Sequence, residues 1–145
     1  MDKFVNQLKI AFASQYAFAI KAQNFHWNVE GIDFYQKHKM FQKIYEETYG
    51  AVDDFAENIR KIKAYTPASL YRFSALSAVD DEVEILDPQA MVAELLRDAE
   101  KMQEIMKVLF TEAEARGENG LSNFLADRQD AFAKHAWFLR STLKD

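Results

Sequence analysis

Only four glycines and two prolines occur in 145 residues, so the chain has few places to turn and is committed to long uninterrupted helices. The first reads from 2 to 29. Val5, Leu8, Phe12, Tyr16 and Ala19 recur at spacings of three and four, and their register reaches His26. A second stripe of Phe4, Ala11, Phe18 and Phe25 lies about 100° round the helix. Ile10, Ala13, Ala17 and Ile20 line much of what remains. A helix apolar nearly all round is buried on more than one side. A four-helix domain offers it a single core, so the surplus predicts a subunit interface.

Gly31 interrupts the pattern. Asp33 followed by Gln36 has the spacing of a capping box, which opens a second helix running to about Ala64. Its stripe is Phe41, Ile44, Thr48, Val52, Phe55, Ile59 and Ile62. Pro67 is expected to stop it, and Arg60, Lys61 and Lys63 suit the negative end of its dipole. Residues 65–87 form the one long connection, with a short helix expected near Ser74–Val79 and a solvated acidic run at Asp80, Asp81 and Glu82. Asp87-Pro88 is a cap followed by proline at the first helical position. The third helix carries Val92, Leu95, Ala99, Met102, Met106, Leu109 and Ala113, and Gly117 and Gly120 are expected to end it. Its three methionines read as core filling. The fourth, about 121–143, carries Leu121, Leu125, Phe132, Ala136, Leu139 and Leu143. No strand-like alternation appears. The expectation is an all-α, single-domain chain: a four-helix bundle with one long crossover, the ferritin-like arrangement.

Composition narrows the function. At 145 residues, with 49 % hydrophobic and 28 % charged residues, the chain reads as one globular domain. It has no cysteine, which excludes disulfides, iron–sulfur clusters and thiolate zinc sites. The start, Met1-Asp2-Lys3-Phe4, shows no signal peptide. No apolar run approaches the roughly 20 residues of a membrane span. A cytoplasmic protein without membrane partners is expected. The net charge of −5 and the lack of a basic patch or tail weigh against nucleic acid as a strong ligand.

Ferritin-like bundles commonly hold metal through Glu on two helices and Glu-x-x-His on the other two. That pattern is absent, because no histidine here follows an acid by three residues. The remaining candidates are His26, His38, Asp53 and Glu57. Asp53 and Glu57 project from one helix face beside an apolar stripe. His38 precedes Asp53 by 15 residues, roughly 22 Å along a helix, so one helix cannot bring them to a common ion. A twofold axis near Glu46 would place Asp53 and Glu57 of an antiparallel copy beside His26 and His38, giving two equivalent sites per dimer. On spacing alone a bland alternative stands, in which His26 caps the first helix and the two acids are solvated.

Residues 24–57 resemble the signature of the Dps family, the DNA-protection-during-starvation mini-ferritins. The matching residues are Asn24-Phe25-His26-Trp27-Asn28-Val29, Gly31, Phe34, His38, Phe41, Tyr45, Asp53, Ala56 and Glu57. The run Lys134-His135-Ala136-Trp137-Phe138-Leu139 also looks like that family's fourth helix. The resemblance implies a hollow dodecameric shell built from twofold dimers. Such a shell oxidises Fe(II) with hydrogen peroxide or O2 and stores the ferric iron, protecting against oxidative stress. It implies that His26, Asp53 and Glu57 bind the stronger iron and that His38 helps to hold a weaker second one. Trp27, with Tyr45 or Tyr49, would intercept radicals or simply pack.

Three positions depart from that pattern. Gln42 stands where members carry an acid, which weakens a second iron. Lys39 and Lys43 stand where some members seed mineral, leaving Glu46 and Glu47 to compensate. Asn119 and Asn123 stand where acids often line the iron inlet, leaving Glu118 and Asp127. DNA binding is expected to be weak or absent. The alternative function is a shell with weakened ferroxidase activity that acts as a structural, metal-sequestering or DNA-protecting particle.

Overall fold

Residues 2–144 are described by a computed structural model. They form six helices: α1 (Lys3–Asn28), α2 (Phe34–Gly50), α3 (Val52–Lys61), α4 (Leu70–Leu76), α5 (Pro88–Ala115) and α6 (Asn119–Leu143). No strand occurs among the described residues. α1, α2 with α3, α5 and α6 make the four-helix bundle, and α4 rides on the crossover. α1 packs against α2 and α5, and α5 packs against α6.

Polar groups at the helix ends set the boundaries. Asp2 caps α1 by accepting from the Phe4 N–H (2.9 Å), and the Arg116 guanidinium grips the same carboxylate at 2.7 and 3.1 Å. Asp87 caps α5 through the Ala90 N–H (2.9 Å), with Pro88 inside the first turn as expected. Gly117 takes a left-handed φ of +72° that only glycine adopts freely. The Glu118 N–H can then reach back to Ala113 O at 3.0 Å and close α5. Gly120 does not end that helix; it lies in the first turn of α6.

Three other boundaries differ from the sequence pattern. Asp33 is left-handed (φ +61°) and makes no side-chain cap, so the capping box does not form. The second helix is broken at Ala51 and ends at Lys61. Lys63 then turns left-handed (φ +72°) and Ala64 N–H bonds Ile59 O at 3.3 Å, so a C-terminal hydrogen-bonded turn closes the helix ahead of Pro67. The crossover helix starts at Leu70, capped by Ser69 (3.2 Å to the Arg72 N–H), and not at Ser74. Phe73 fixes its place by stacking on Tyr16 (4.5 Å) and meeting the edge of Phe12 (5.8 Å). Ala78 N–H then donates to Ser14 Oγ (2.8 Å), tying the crossover's exit to α1.

The crossover changes the reading of α1. Phe4, Leu8, Ala11, Phe12, Ala13, Phe18, Ala19, Ala22 and Phe25 are all buried within one chain, because α2, α3, α4 and α5 all pack on this helix. Its apolar surplus therefore serves the monomer, and Ile20 is the large apolar residue that α1 leaves exposed before Trp27. The exposed large apolar side chains gather at the α1–α2 turn (Trp27, Ile32, Phe34, Tyr35) and on the crossover (Tyr65, Leu70, Tyr71, Val83, Ile85).

α5 keeps the cleanest periodicity, with Val92, Leu95, Ala99, Met102, Met106, Leu109 and Ala113 all buried. One charge is enclosed between α1 and α5. Lys21, 4 % exposed, reaches Asp98 at 2.8 Å and Glu94 at 3.2 Å. Those partners offset the desolvation that an isolated buried ammonium would suffer. Asp80 and Asp81 are exposed as expected. Glu82 is half-buried: its carbonyl accepts from Asn24 and its carboxylate from the Glu84 N–H.

Candidate metal centre

His26 lies in the last turn of α1 and His38 in the second turn of α2. The turn between them needs two left-handed residues, Gly31 (φ +104°) and Asp33, to fold α2 back. This brings the imidazoles face to face, 3.9 Å between centroids and 18° between planes. His26 Nδ1 donates to His38 O at 2.8 Å, and His38 Nδ1 donates to His26 O at 2.7 Å. A carbonyl can only accept, so both Nδ1 atoms carry hydrogen, and in the neutral rings each Nε2 keeps a free lone pair. Phe34 covers the outer face of His38 (5.1 Å) and Tyr45 stands against His26 (5.3 Å). The pair is held as metal-binding histidines are held: a backbone acceptor fixes the tautomer and the ring plane.

The carboxylates lie elsewhere. Asp53 and Glu57 are on α3, beyond the break at Ala51, and both are exposed. Among the described residues no three His, Asp or Glu side chains converge in a way that could hold a metal. One chain thus presents a two-imidazole group and a separate two-carboxylate group. Gln42 donates its amide to Glu46 (2.8 Å), so both are engaged on their own helix. Trp27, next to His26, is 66 % exposed. Tyr45, Tyr49 and Tyr16 run edge to face, at 6.0 and then 5.6 Å. Burial, followed by its two tyrosine neighbours, pushes the Tyr49 phenol up, so it keeps its proton.

A second polar cluster, outside the motif residues, crosses the bundle. Arg128 on α6 is 3 % exposed. Its guanidinium binds the Glu47 carboxylate through both terminal nitrogens and donates Nε–H to Gln15 Oε1 (3.1 Å). His135 Nε2 reaches the same carboxylate at 2.8 Å. Burial alone would raise the Glu47 pKa, but the hydrogen bonds from His135 and Arg128 and their charge outweigh it and hold it at about 2. Glu47 therefore commits its carboxylate to Arg128 and His135, although 40 % of its side chain meets solvent. The signal was present in the sequence, since Arg128 and His135 fall in register with Leu125, Phe132 and Leu139 on the core stripe of α6.

The comparisons with known proteins agree with this architecture. The ferritin-like domain family matches residues 5–145. The DNA protection during starvation protein of Helicobacter pylori is 30 % identical over 125 residues, which span 86 % of this chain and 87 % of that one. The crystal structure of antigen TpF1 from Treponema pallidum superposes with a TM-score of 0.93 at 28 % identity, covering 98 % of this chain and 92 % of that one. Dps from Staphylococcus aureus gives a TM-score of 0.93 at 25 % identity, covering 98 % and 95 %. With the bundle, the crossover and this coverage in hand, the chain belongs to the ferritin-like domain family, and within it to the Dps proteins. No helix among the described residues is long and apolar enough to cross a membrane.

Proposed function

We propose that the protein is a ferroxidase and iron store. Fe(II) is its substrate, bound at sites shared between two copies, and the ferric product is held inside a dodecameric shell in the cytoplasm. The observation that carries this reading is the reciprocal pinning of His26 and His38, which leaves two Nε2 lone pairs fixed at one edge of the bundle. Two imidazoles suit Fe(II), and the two carboxylates needed to balance its charge are supplied by Asp53 and Glu57 of a second copy. His26, Asp53 and Glu57 would bind the stronger iron, with His38 contributing to a weaker one. Phe34 and Tyr45 shield the ring faces from water, and Trp27 stands beside the site for radical interception. In the reaction two Fe(II) give one electron each, and hydrogen peroxide with two protons becomes two waters.

A second reading has its own observation. Gln42 holds Glu46 through its amide N–H and can offer iron only a neutral carbonyl oxygen, so the position that would favour a second iron brings no charge. The chain would then hold one iron per site and act mainly as a sequestering particle. Anaerobic Fe(II) titration separates the two, with four irons per dimer expected for the ferroxidase and two for the sequestering shell. Wild-type protein that binds no Fe(II) and does not speed its oxidation by peroxide above the protein-free rate would overturn both.

Assembly can be read from solution mass. Twelve copies of 16.8 kDa give about 202 kDa, and a species that stays monomeric or dimeric in sedimentation would remove the shell. DNA is expected to bind weakly or not at all at physiological salt. The net charge of −5 offers little counterion release. A gel shift with plasmid at physiological salt tests this, and tight retention would contradict it.

A further inference from the structure

The cluster of Gln15, Glu47, Thr48, Arg128 and His135 sits where α2 stops and α3 begins, between the histidine and carboxylate portions of the chain. In an unbroken helix Thr48 O would accept from the Val52 N–H. Here it accepts from the Gln15 side-chain amide (3.2 Å) and from the Ala51 N–H (3.3 Å). Thr48 Oγ1 bonds back to Ile44 O (2.7 Å), a contact that bends helices. Ala51 then leaves the helical region (φ −98°, ψ 0°), and the ladder resumes with Phe55 N–H on Ala51 O at 3.2 Å. Gln15 is fully buried and has both ends occupied, one by this freed carbonyl and the other by Arg128, which in turn clamps Glu47. A buried glutamine could be satisfied in many ways. This one is spent on the single turn where the helical hydrogen-bond ladder is interrupted, and an interruption of that kind kinks a helix.

We propose that Gln15 and Arg128 are positioning residues for the carboxylate half of the metal site: held from α1 and α6, they fix the bend at Gly50–Ala51 and so the direction in which Asp53 and Glu57 are presented. The inference rests on the reading of those two acids as iron ligands. The leverage is large. Glu57 lies six residues beyond Ala51, about 9 Å along a helix, so a swing of about 10° displaces it by about 1.5 Å. Metal sites tolerate distance errors of about 0.2 Å.

Co(II) alone is the probe, because its visible spectrum reports ligand number and geometry without turnover. Gln15→Glu keeps an acceptor for Arg128 and removes the donor to Thr48 O. Gly50→Ala favours a straight helix through the bend, and a Cβ there meets nothing within 4 Å. In assembled protein each variant should weaken Co(II) binding on the order of ten-fold and alter the Co(II) spectrum, with particle mass unchanged. Should Gln15→Glu fail to assemble, Gly50→Ala decides alone. Asp53→Ala is the control. If it abolishes Co(II) binding while both bend variants match wild type in affinity and spectrum, the positioning role is wrong. If Asp53→Ala itself binds Co(II) as wild type does, the ligand reading beneath it is wrong.

Discussion

Replacing His26 with alanine should slow peroxide-driven Fe(II) oxidation by about 100-fold or more, since losing even an outer partner of a metal ligand costs 10–100-fold. Asp53→Ala should do the same from the other side of the site. The two variants carry different information. His26 is buried, stacked on His38 and set against Tyr45, so its removal also opens space at the end of α1 and costs some stability. Asp53 is exposed on α3, where surface substitutions usually change stability by no more than about 0.5 kcal/mol. A loss of activity in Asp53→Ala, with an unchanged melting temperature, is therefore the cleaner result. Mixing the two variants sharpens it. If each site takes histidines from one copy and acids from the other, a mixed dimer rebuilds one intact site in two. Co-assembly should recover activity that neither variant has alone. Stopped-flow oxidation rates on the separate and co-refolded proteins check this, and wild-type rates in both single variants would show that the site lies elsewhere.

How far the sequence carried the structure depends on whether the deciding interaction was local. α5 was legible from end to end because its stripe has one period and its cap, Asp87-Pro88, is chemistry between near neighbours. The second helix was legible as an apolar stripe but not as two pieces. At the break by Ala51 the Thr48 carbonyl is captured by Gln15, 33 residues away, and no periodicity reports such a contact. The crossover helix was displaced for a similar reason, since Phe73 finds its place on Tyr16 and Phe12 of α1. The surplus apolar faces of α1 point to an interface only while the count stops at four bundle helices, because the crossover covers them within one chain. At the site, spacing singled out His26 and His38, and helix length showed that they could not share an ion with Asp53 and Glu57 of the same helix. Their stacking and crossed carbonyl bonds depend on two left-handed residues in the intervening turn, one of which, Asp33, had the sequence signature of an ordinary cap.

Glu47→Ala should lower stability by about 2 kcal/mol, within the cost of leaving a buried donor without its acceptor. The reason lies in what is left behind. Arg128 is nearly inaccessible, and without Glu47 its guanidinium retains, among the described residues, only Gln15 Oε1 as acceptor, while His135 loses its partner on the same carboxylate. The wild-type protein should show the same interaction as a pH dependence. The Glu47 carboxyl is held at about 2 in the fold against an ordinary value of 4.5. A depressed folded-state pKa contributes stability that is complete above the unfolded value and is lost as pH falls toward the folded one. The window therefore runs from about pH 4.5 down to about pH 2. Because 40 % of the Glu47 side chain meets solvent, the contribution across that window is discounted to about 1–2 kcal/mol. Thermal scans of wild type and Glu47→Ala at matched protein concentration, from pH 6 down to pH 2, isolate it, since the other carboxylates titrate alike in both proteins and cancel. The gap between the two melting curves should be widest above pH 4.5 and narrow as the pH falls. A gap that stays constant over the whole range would mean that Glu47 stabilises the bundle by packing and not by its charge.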